Sequence, residues 1–426
     1  MCRDNRRLHA TPTPRFPPTL HCTRAMTTSP LINLIIPTRE RADVLRSTLA
    51  TATMQDYANL RIIVSDNAST DDTAEIVARA MDPRIEYINP GRRLSMTHHW
   101  EFALSHVTDG WVMVIGDDDG LLPGAVRELA ALIDATGSLA IRSRMCTYDW
   151  PSVRGNRNGQ LIVPLGRGLE SRNGTDWLRR VLSGSYKYTE LPMLYDGGAI
   201  HASLFRTVKA SLGSFLQASS PDVSTAASIG CVSGDYLFSR RPFVIAGTSR
   251  HSIGTSHFAV GTKRDDAAAK RFASEGNPPF HTDMPLHEDG SYPLSLHALF
   301  YEAYLHCRPL WPGNLTTHDH QLAVILATSG KHRQSIDAWG RLFAARHDLD
   351  YARAARQAAR MRPLHQAVQS TRKIGAAFSS VISDALPVRN IHEASLAAGT
   401  ILAHPDRRHT LRFMAAELRK VMMRGA

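Results

Sequence analysis

Between Leu31 and Arg144, apolar segments of strand length alternate with segments of helix length, and this constrains the fold more than any other feature of the chain. Ile32–Ile36 is a short apolar run closed by Pro37, which reads as a buried strand. Arg41 to Thr53 reads as a helix with Val44, Leu45, Thr48 and Leu49 on one face, and Arg61–Ser65 as a second strand. Ser69, with Asp72 three residues on, has the form of a capping box for a helix through Met81. Ile85–Ile88 follows as a third strand, Ser95 caps a helix through about Val107, and Trp111–Ile115 is a fourth strand. Pro123 suits the first turn of a helix to about Ala135. Strands joined by helices of this length require right-handed crossovers, so the expectation is an α/β fold with a doubly wound, mainly parallel sheet.

Ligands of such sheets bind at the carboxyl ends of the strands. Three polar clusters fall there: Thr38-Arg39-Glu40-Arg41, Asp66-Asn67, and Gly116-Asp117-Asp118-Asp119. Three consecutive carboxylates behind a buried strand repel one another unless something neutralises them. A Mg²⁺ or Mn²⁺ ion does so, because hard cations take one or two carboxylates together with phosphate oxygens. The plainer reading is a helix cap, for which one acid is enough. Asp66 ends the second strand, where a carboxylate can accept from the imide N–H of a pyrimidine base; it can equally close an Asx turn with Asn67–Ser69. Pro37, Thr38 and Arg39 open the first loop toward the same ligand, and Arg41 is either a ligand residue or a solvated first-turn residue.

The stretches LINLIIPTRERADVLRSTL, RIIVSDNASTDDT and, above all, WVMVIGDDDGLLPGAV resemble family 2 glycosyltransferases of the GT-A nucleotide-sugar-binding fold. The resemblance is strong over about residues 31–135 and weaker to about 257. It implies a GT-A-like fold and donor binding by Pro37, Thr38, Asp66 and Asp117, with Asp119 at the metal-bridged diphosphate; Arg39, Arg41, Asn67 and Asp118 are the neighbouring donor-binding candidates. It implies a catalytic base well downstream of the aspartates. Asp222, in SSPDVSTAASIG, is the best match, with Asp196 and Asp235 as competitors; its alternative is a helix N-terminal acid favoured by the dipole. It also implies a downstream histidine at the metal or diphosphate, for which His251 is the choice. Glu40 and His99 stand where many relatives have Asn.

Residues 1–30 read as a disordered or over-extended arm. Residues 31–260 form the GT-A region, with a nucleotide half at 31–145 and an acceptor half at 146–260 of irregular pattern. Residues 261–290 read as a linker and 291–426 as a basic helical region. The net charge of +11 lies at the ends: residues 1–25 carry +4, residues 331–426 carry +10, and 26–330 carry −3. A basic tail attracts phosphates, here an anionic membrane surface, or is a solvated helical face; Arg353, Arg356 and Arg360 are spaced to share one side. Five scattered cysteines without a CxxC pair fit a reducing cytoplasm. The mildly acidic centre lacks the basic–aromatic interleaving of a nucleic-acid binder.

The expectation is a cytoplasmic, metal-dependent, inverting glycosyltransferase. It would move a sugar from a UDP- or dTDP-type nucleoside diphosphate-sugar to a glycan or lipid-linked acceptor. A sugar-nucleotide-forming nucleotidyltransferase is the alternative enzyme, but the loop Thr38–Arg41 lacks the glycines that chemistry usually brings. A non-catalytic glycan-assembly scaffold is the alternative outside enzymes; donor hydrolysis without acceptor separates the two.

Overall fold

The computed structural model describes residues 29–151, 159–251, 275–311, 313–383 and 388–404. Most of the arm at 1–30, and residues 252–274 of the GT-A region and linker, lie outside them.

The first half alternates as the sequence requires: β1 (Ile32–Thr38), α1 (Ala42–Thr53), β2 (Leu60–Asp66), α2 (Thr73–Arg79), β3 (Ile85–Ile88), α3 (Met96–Ser105) and β4 (Trp111–Val114). β1 pairs in parallel with β2 and β4, and β2 with β3. The β1–β2 register sets Thr38 beside Asp66, so two of the three polar clusters meet at one sheet edge. Side chains alternate across the sheet. Ile32, Leu34 and Ile36 pack with Val44, Leu45 and Leu49 of α1, while Ile35 packs with Trp100 and Ala103 of α3 on the opposite face. This is the two-faced burial that a doubly wound sheet needs.

Beyond β4 come β5 (Gly120–Leu121), α4 (Ala125–Thr136), β6 (Ala140–Asp149), β7 (Leu161–Pro164), β8 (Leu169–Asn173), α5 (Gly174–Leu182), β9 (Gly198–His201), α6 (Ala202–Leu212), α7 (Pro221–Val232) and β10 (Asp235–Thr248). β9 joins β4 and β6 antiparallel to both, so the parallel order ends there. The region that reads as irregular in sequence contains the longest strand among the described residues. β10 runs for 14 residues, parallel to β6, with a register shift between Ser239 and Val244. Its alternation is masked because β10 is buried on both sides over Phe243–Ile245.

The chain ends in α8 (Leu296–His306), α9 (His318–Thr328), α10 (Arg333–Arg346), α11 (Tyr351–Phe378), β11 (Ser380–Ser383) and α12 (Ile391–Ala403). β11 adds itself antiparallel to β7 at the sheet edge, and α12 packs on α1 and β5. The C-terminal region is helical as expected, and it also closes both faces of the sheet. No described helix is long and apolar enough to cross a membrane.

Three local expectations change. Ser95 caps α3 by accepting from His98 N, as read, but the Ser69–Asp72 capping box does not form. Ser69 is held by Asp66, its hydroxyl accepts from Glu40 N, and Asp71 takes the backbone N–H and hydroxyl of Thr73 instead. α2 stops at Arg79, with Met81 in the left-handed region at φ 47°. α4 starts at Ala125 behind Gly124, whose φ of 73° turns the chain, so Pro123 lies before the helix.

Candidate active site

The aspartate turn after β4 is stitched to three elements. Asp117 accepts from Thr38 Oγ1 and from Arg41 Nη1, both at 2.8 Å. The Thr48 hydroxyl, on α1, lies 2.7 Å from the carbonyl oxygens of both Asp117 and Asp119. Asp118 accepts from Ser249 Oγ at 2.6 Å, and its carbonyl accepts from Trp150 Nε1 at 3.0 Å. Asp119 accepts from the backbone of Gly116 and of Gly247, each at 2.7 Å. A Cβ at Gly247 would run into the Asp118 carbonyl, so only glycine lets β10 approach this closely.

The electrostatics follow from burial. Burial raises the pKa of Asp117, which the Arg41 guanidinium opposes. Burial works against Arg41 too, but Asp117 and Asp118 outweigh it and hold the guanidinium charged, above its ordinary range. Burial, then Asp118 and Asp196, push the Asp119 carboxyl well above the carboxylate range. The remainder of Arg41 donates to the His251 carbonyl at 2.6 Å, and the His251 ring lies 3.2 Å from Asp43. His251 thus borders the turn through its backbone while its ring points to Asp43 rather than to the three aspartates. Among the described residues, no group of three or more His, Cys, Asp or Glu side chains forms a cage for a metal ion.

At the end of β2, Asp66 is buried and accepts from Ser69 N at 3.0 Å, from Tyr87 Oη at 2.6 Å and from Asn89 Nδ2 at 3.3 Å. The Asx turn is therefore formed, and it leaves the carboxylate edge shared with Tyr87. Asn67 is engaged at both ends of its amide by the backbone of Leu94, at 2.8 Å each, so it shapes the loop. His99 lies behind Asp66, bonded to Ser65 Oγ at 2.8 Å, and burial lowers its pKa to about 4. Glu40, at φ 53°, accepts from Thr70 and ties the first loop to the second. Pro37 is half-buried in β1, and Arg39 pairs with Glu275 at 2.8 Å, which Arg93 also reaches.

Across the cleft, Pro221 occupies the first turn of α7 and Asp222 follows it, as the sequence suggests. Asp222 accepts from Tyr188 Oη at 2.7 Å. Burial raises the Asp222 pKa, and this hydrogen bond tempers the rise. The Tyr188 ring stacks on Phe300 of α8, with centroids 6.3 Å apart. Asp196 faces the same space, and its surroundings bring it near Asp118 and Asp222. Asp235 is exposed at the opposite end of β10 from Gly247, where it bonds Asn173. Sequence reasoning missed Tyr87, Tyr188, Ser249 and Trp150. Of these, only Ser249, two residues before His251, lay in a stretch already under suspicion.

Residues 33–186 match the family described as Glycosyl transferase family 2. The chain is 33% identical over 103 residues to a GalNAc(5)-diNAcBac-PP-undecaprenol beta-1,3-glucosyltransferase of Campylobacter jejuni, which covers 24% of this chain and 33% of that protein. It is 24% identical over 109 residues to the succinoglycan biosynthesis protein ExoO of Rhizobium meliloti, covering 26% of this chain and 31% of the other. The chain thus matches about a third of the length of these relatives. Among solved structures, Staphylococcus aureus TarS 1–349 in complex with UDP-GlcNAc aligns with a TM-score of 0.44 at 13% identity, over 88% of this chain and 92% of that one. Over residues 33–186, then, the chain is similar to glycosyl transferase family 2.

Proposed function

We propose that the chain transfers a sugar from a UDP- or dTDP-type nucleoside diphosphate-sugar to a glycan or lipid-linked acceptor, with inversion at the anomeric carbon. The observation that carries this is the meeting, at one sheet edge, of Thr38, Asp66 and the 117–119 turn, with Asp196 lying near both Asp118 and Asp222. The nucleoside lies against the first two loops, with Asp66 and Tyr87 at the base and Arg39 and Arg41 nearby. Asp222 takes the proton of the acceptor hydroxyl as it attacks. Burial supports that role, since a carboxylate with a raised pKa is the stronger base.

The donor set fits a hard divalent ion, Mg²⁺ or Mn²⁺, held by few protein ligands and chiefly by the donor's phosphates. Asp119 would hold it, with Asp118 beside it, since burial and the neighbouring acids that raise the Asp119 pKa make a compensating cation favourable there. When bound, the ion would neutralise the leaving diphosphate. The curated glucosyltransferase relative is named for an undecaprenol-linked substrate, which favours a lipid-linked acceptor here.

The test is a binding screen of nucleoside diphosphates and their sugars with Mg²⁺ or Mn²⁺, followed by transfer assays. Asp222→Asn should lower transfer by about 10²–10⁴-fold while donor affinity holds. Transfer at the wild-type rate would remove Asp222 from the mechanism. For the membrane, exposed Arg353, Arg356 and Arg360 on α11 are the contact we favour. Replacing all three with Gln should weaken sedimentation with anionic vesicles, at about 1 kcal/mol for each residue near the surface. Equal sedimentation of both proteins would leave α11 a solvated helix.

A further inference from the structure

Asp196 differs from the other acids of the cleft. Asp66, Asp117, Asp119 and Asp222 each accept hydrogen bonds from the protein. The Asp196 carboxylate receives none from the described residues, although its residue is only partly exposed. Its backbone is also strained, at φ 54°. A left-handed non-glycine residue costs about 1–3 kcal/mol and persists only where its surroundings enforce it.

Those surroundings are firm. The buried Arg142 guanidinium donates to the carbonyl of Tyr195 at 2.9 Å, to that of Thr189 at 2.8 Å, and to that of Asp196 itself. Ser143 N donates to the Gly197 carbonyl at 2.8 Å. Two residues before Asp196, Leu194 accepts from Val114 N at the end of β4 at 3.0 Å and donates to Thr225 Oγ1 on α7 at 3.4 Å. The Tyr195 hydroxyl lies against Asp119. Asp196 is thus fixed between the aspartate turn and the first turns of α7.

Asp196 lies near both Asp118 of the turn and Asp222, between the sites read for the diphosphate and for the base. We propose that the Asp196 carboxylate binds hydroxyl groups of the transferred pyranose and so selects the donor sugar. The proposal rests on reading the cleft as a nucleoside diphosphate-sugar site. A carboxylate suits the task because one group can accept from two neighbouring hydroxyls.

Calorimetry on the full chain with Mg²⁺ tests this. UDP is compared with UDP-glucose, UDP-galactose and UDP-N-acetylglucosamine, dTDP with dTDP-glucose, and GDP with GDP-mannose. Asp196→Gly removes the carboxylate and suits the positive φ. It should leave affinity for the bare nucleotide within about twofold and weaken the preferred sugar nucleotide about tenfold to hundredfold. Asp196→Asn, which also tolerates this backbone, should change the ranking of the sugars and serves if the glycine variant does not fold. Unchanged affinities and ranking in the folded variant overturn the proposal. Lost transfer with unchanged donor affinity also overturns it, making Asp196 a base. If the wild type binds none of these nucleotides, the donor reading itself fails, a result distinct from either.

Discussion

The carboxylates on the two sides of the cleft are held in different ways. At the ends of β2 and β4, the side chains of Asp66, Asp117 and Asp119 each accept at least two hydrogen bonds, from neighbouring backbone, hydroxyl or guanidinium groups. On the α7 side, Asp222 has one side-chain donor, the Tyr188 hydroxyl, beside backbone N–H groups of the helix start, and the Asp196 carboxylate has no donor among the described residues. A buried carboxylate with a full set of donors is fixed in place, even where burial and neighbouring acids raise its pKa, as they do at Asp119. One with few donors remains open to a ligand. The first side is therefore a preformed cradle, and the second keeps its acids available for chemistry.

The strongest attempt to break this contrast removes the cradle's cation. Arg41→Ala leaves Asp117 buried with the Thr38 hydroxyl as its remaining side-chain donor among the described residues. Breaking one partner of a buried pair typically costs about 3–5 kcal/mol. The expected result in denaturant unfolding is a loss of that order, together with weakened donor binding. A loss below about 1 kcal/mol would mean the turn does not depend on the pair. The cradle would then be no better fixed than the opposite wall.

The contrast also marks what could be read from sequence. The cradle was legible because β1, α1, β2, β3 and β4 follow one another with local periodicity, and parallel crossovers leave one arrangement for their ends. Asp222 was legible for a similar reason, since Pro221 announces the start of a helix. The other wall was not. Tyr188 reaches Asp222 from a 3₁₀ turn 34 residues earlier, and its ring is backed by Phe300, more than a hundred residues later. Asp196 acquires its φ from Arg142, a residue of β6 that looks like any strand-edge arginine in the sequence. β11 pairs with β7 across some two hundred residues. Contacts of this kind leave no periodic trace. The failed Ser69 capping box shows the same limit at short range, because Glu40 from another loop took the hydroxyl.

Tyr188→Phe sharpens the contrast by removing the side-chain donor to Asp222. Asp222 already titrates above the ordinary carboxylate range because of burial, and the Tyr188 hydroxyl pulls it back down. Removing the hydroxyl raises the Asp222 pKa further, so the proposed base is lost to protonation at a higher pH. The acid limb of the pH profile of kcat/KM should move upward, with donor affinity unchanged. A limb that stays in place would show that Tyr188 supports the fold without tuning the base.

The smallest effect comes from the C-terminal region, which touches the cradle from behind. Ser395, fully buried on α12, donates to the Leu121 carbonyl at 2.6 Å, just past the aspartate turn. Ile391 packs so close to Gly120 that a Cβ there would lie 3.2 Å from its Cγ1. If α12 is part of what makes the cradle rigid, it must unfold with it. Ser395→Ala removes the donor and should cost about 1 kcal/mol. That loss should appear as a lower midpoint for a single transition, with donor affinity unchanged within about twofold. An early, separate transition confined to the C-terminal region, with the main midpoint unmoved, would make α12 an appendage. The rigidity of the donor side would then have to come from α1 and β10 alone, through Thr48 and Gly247.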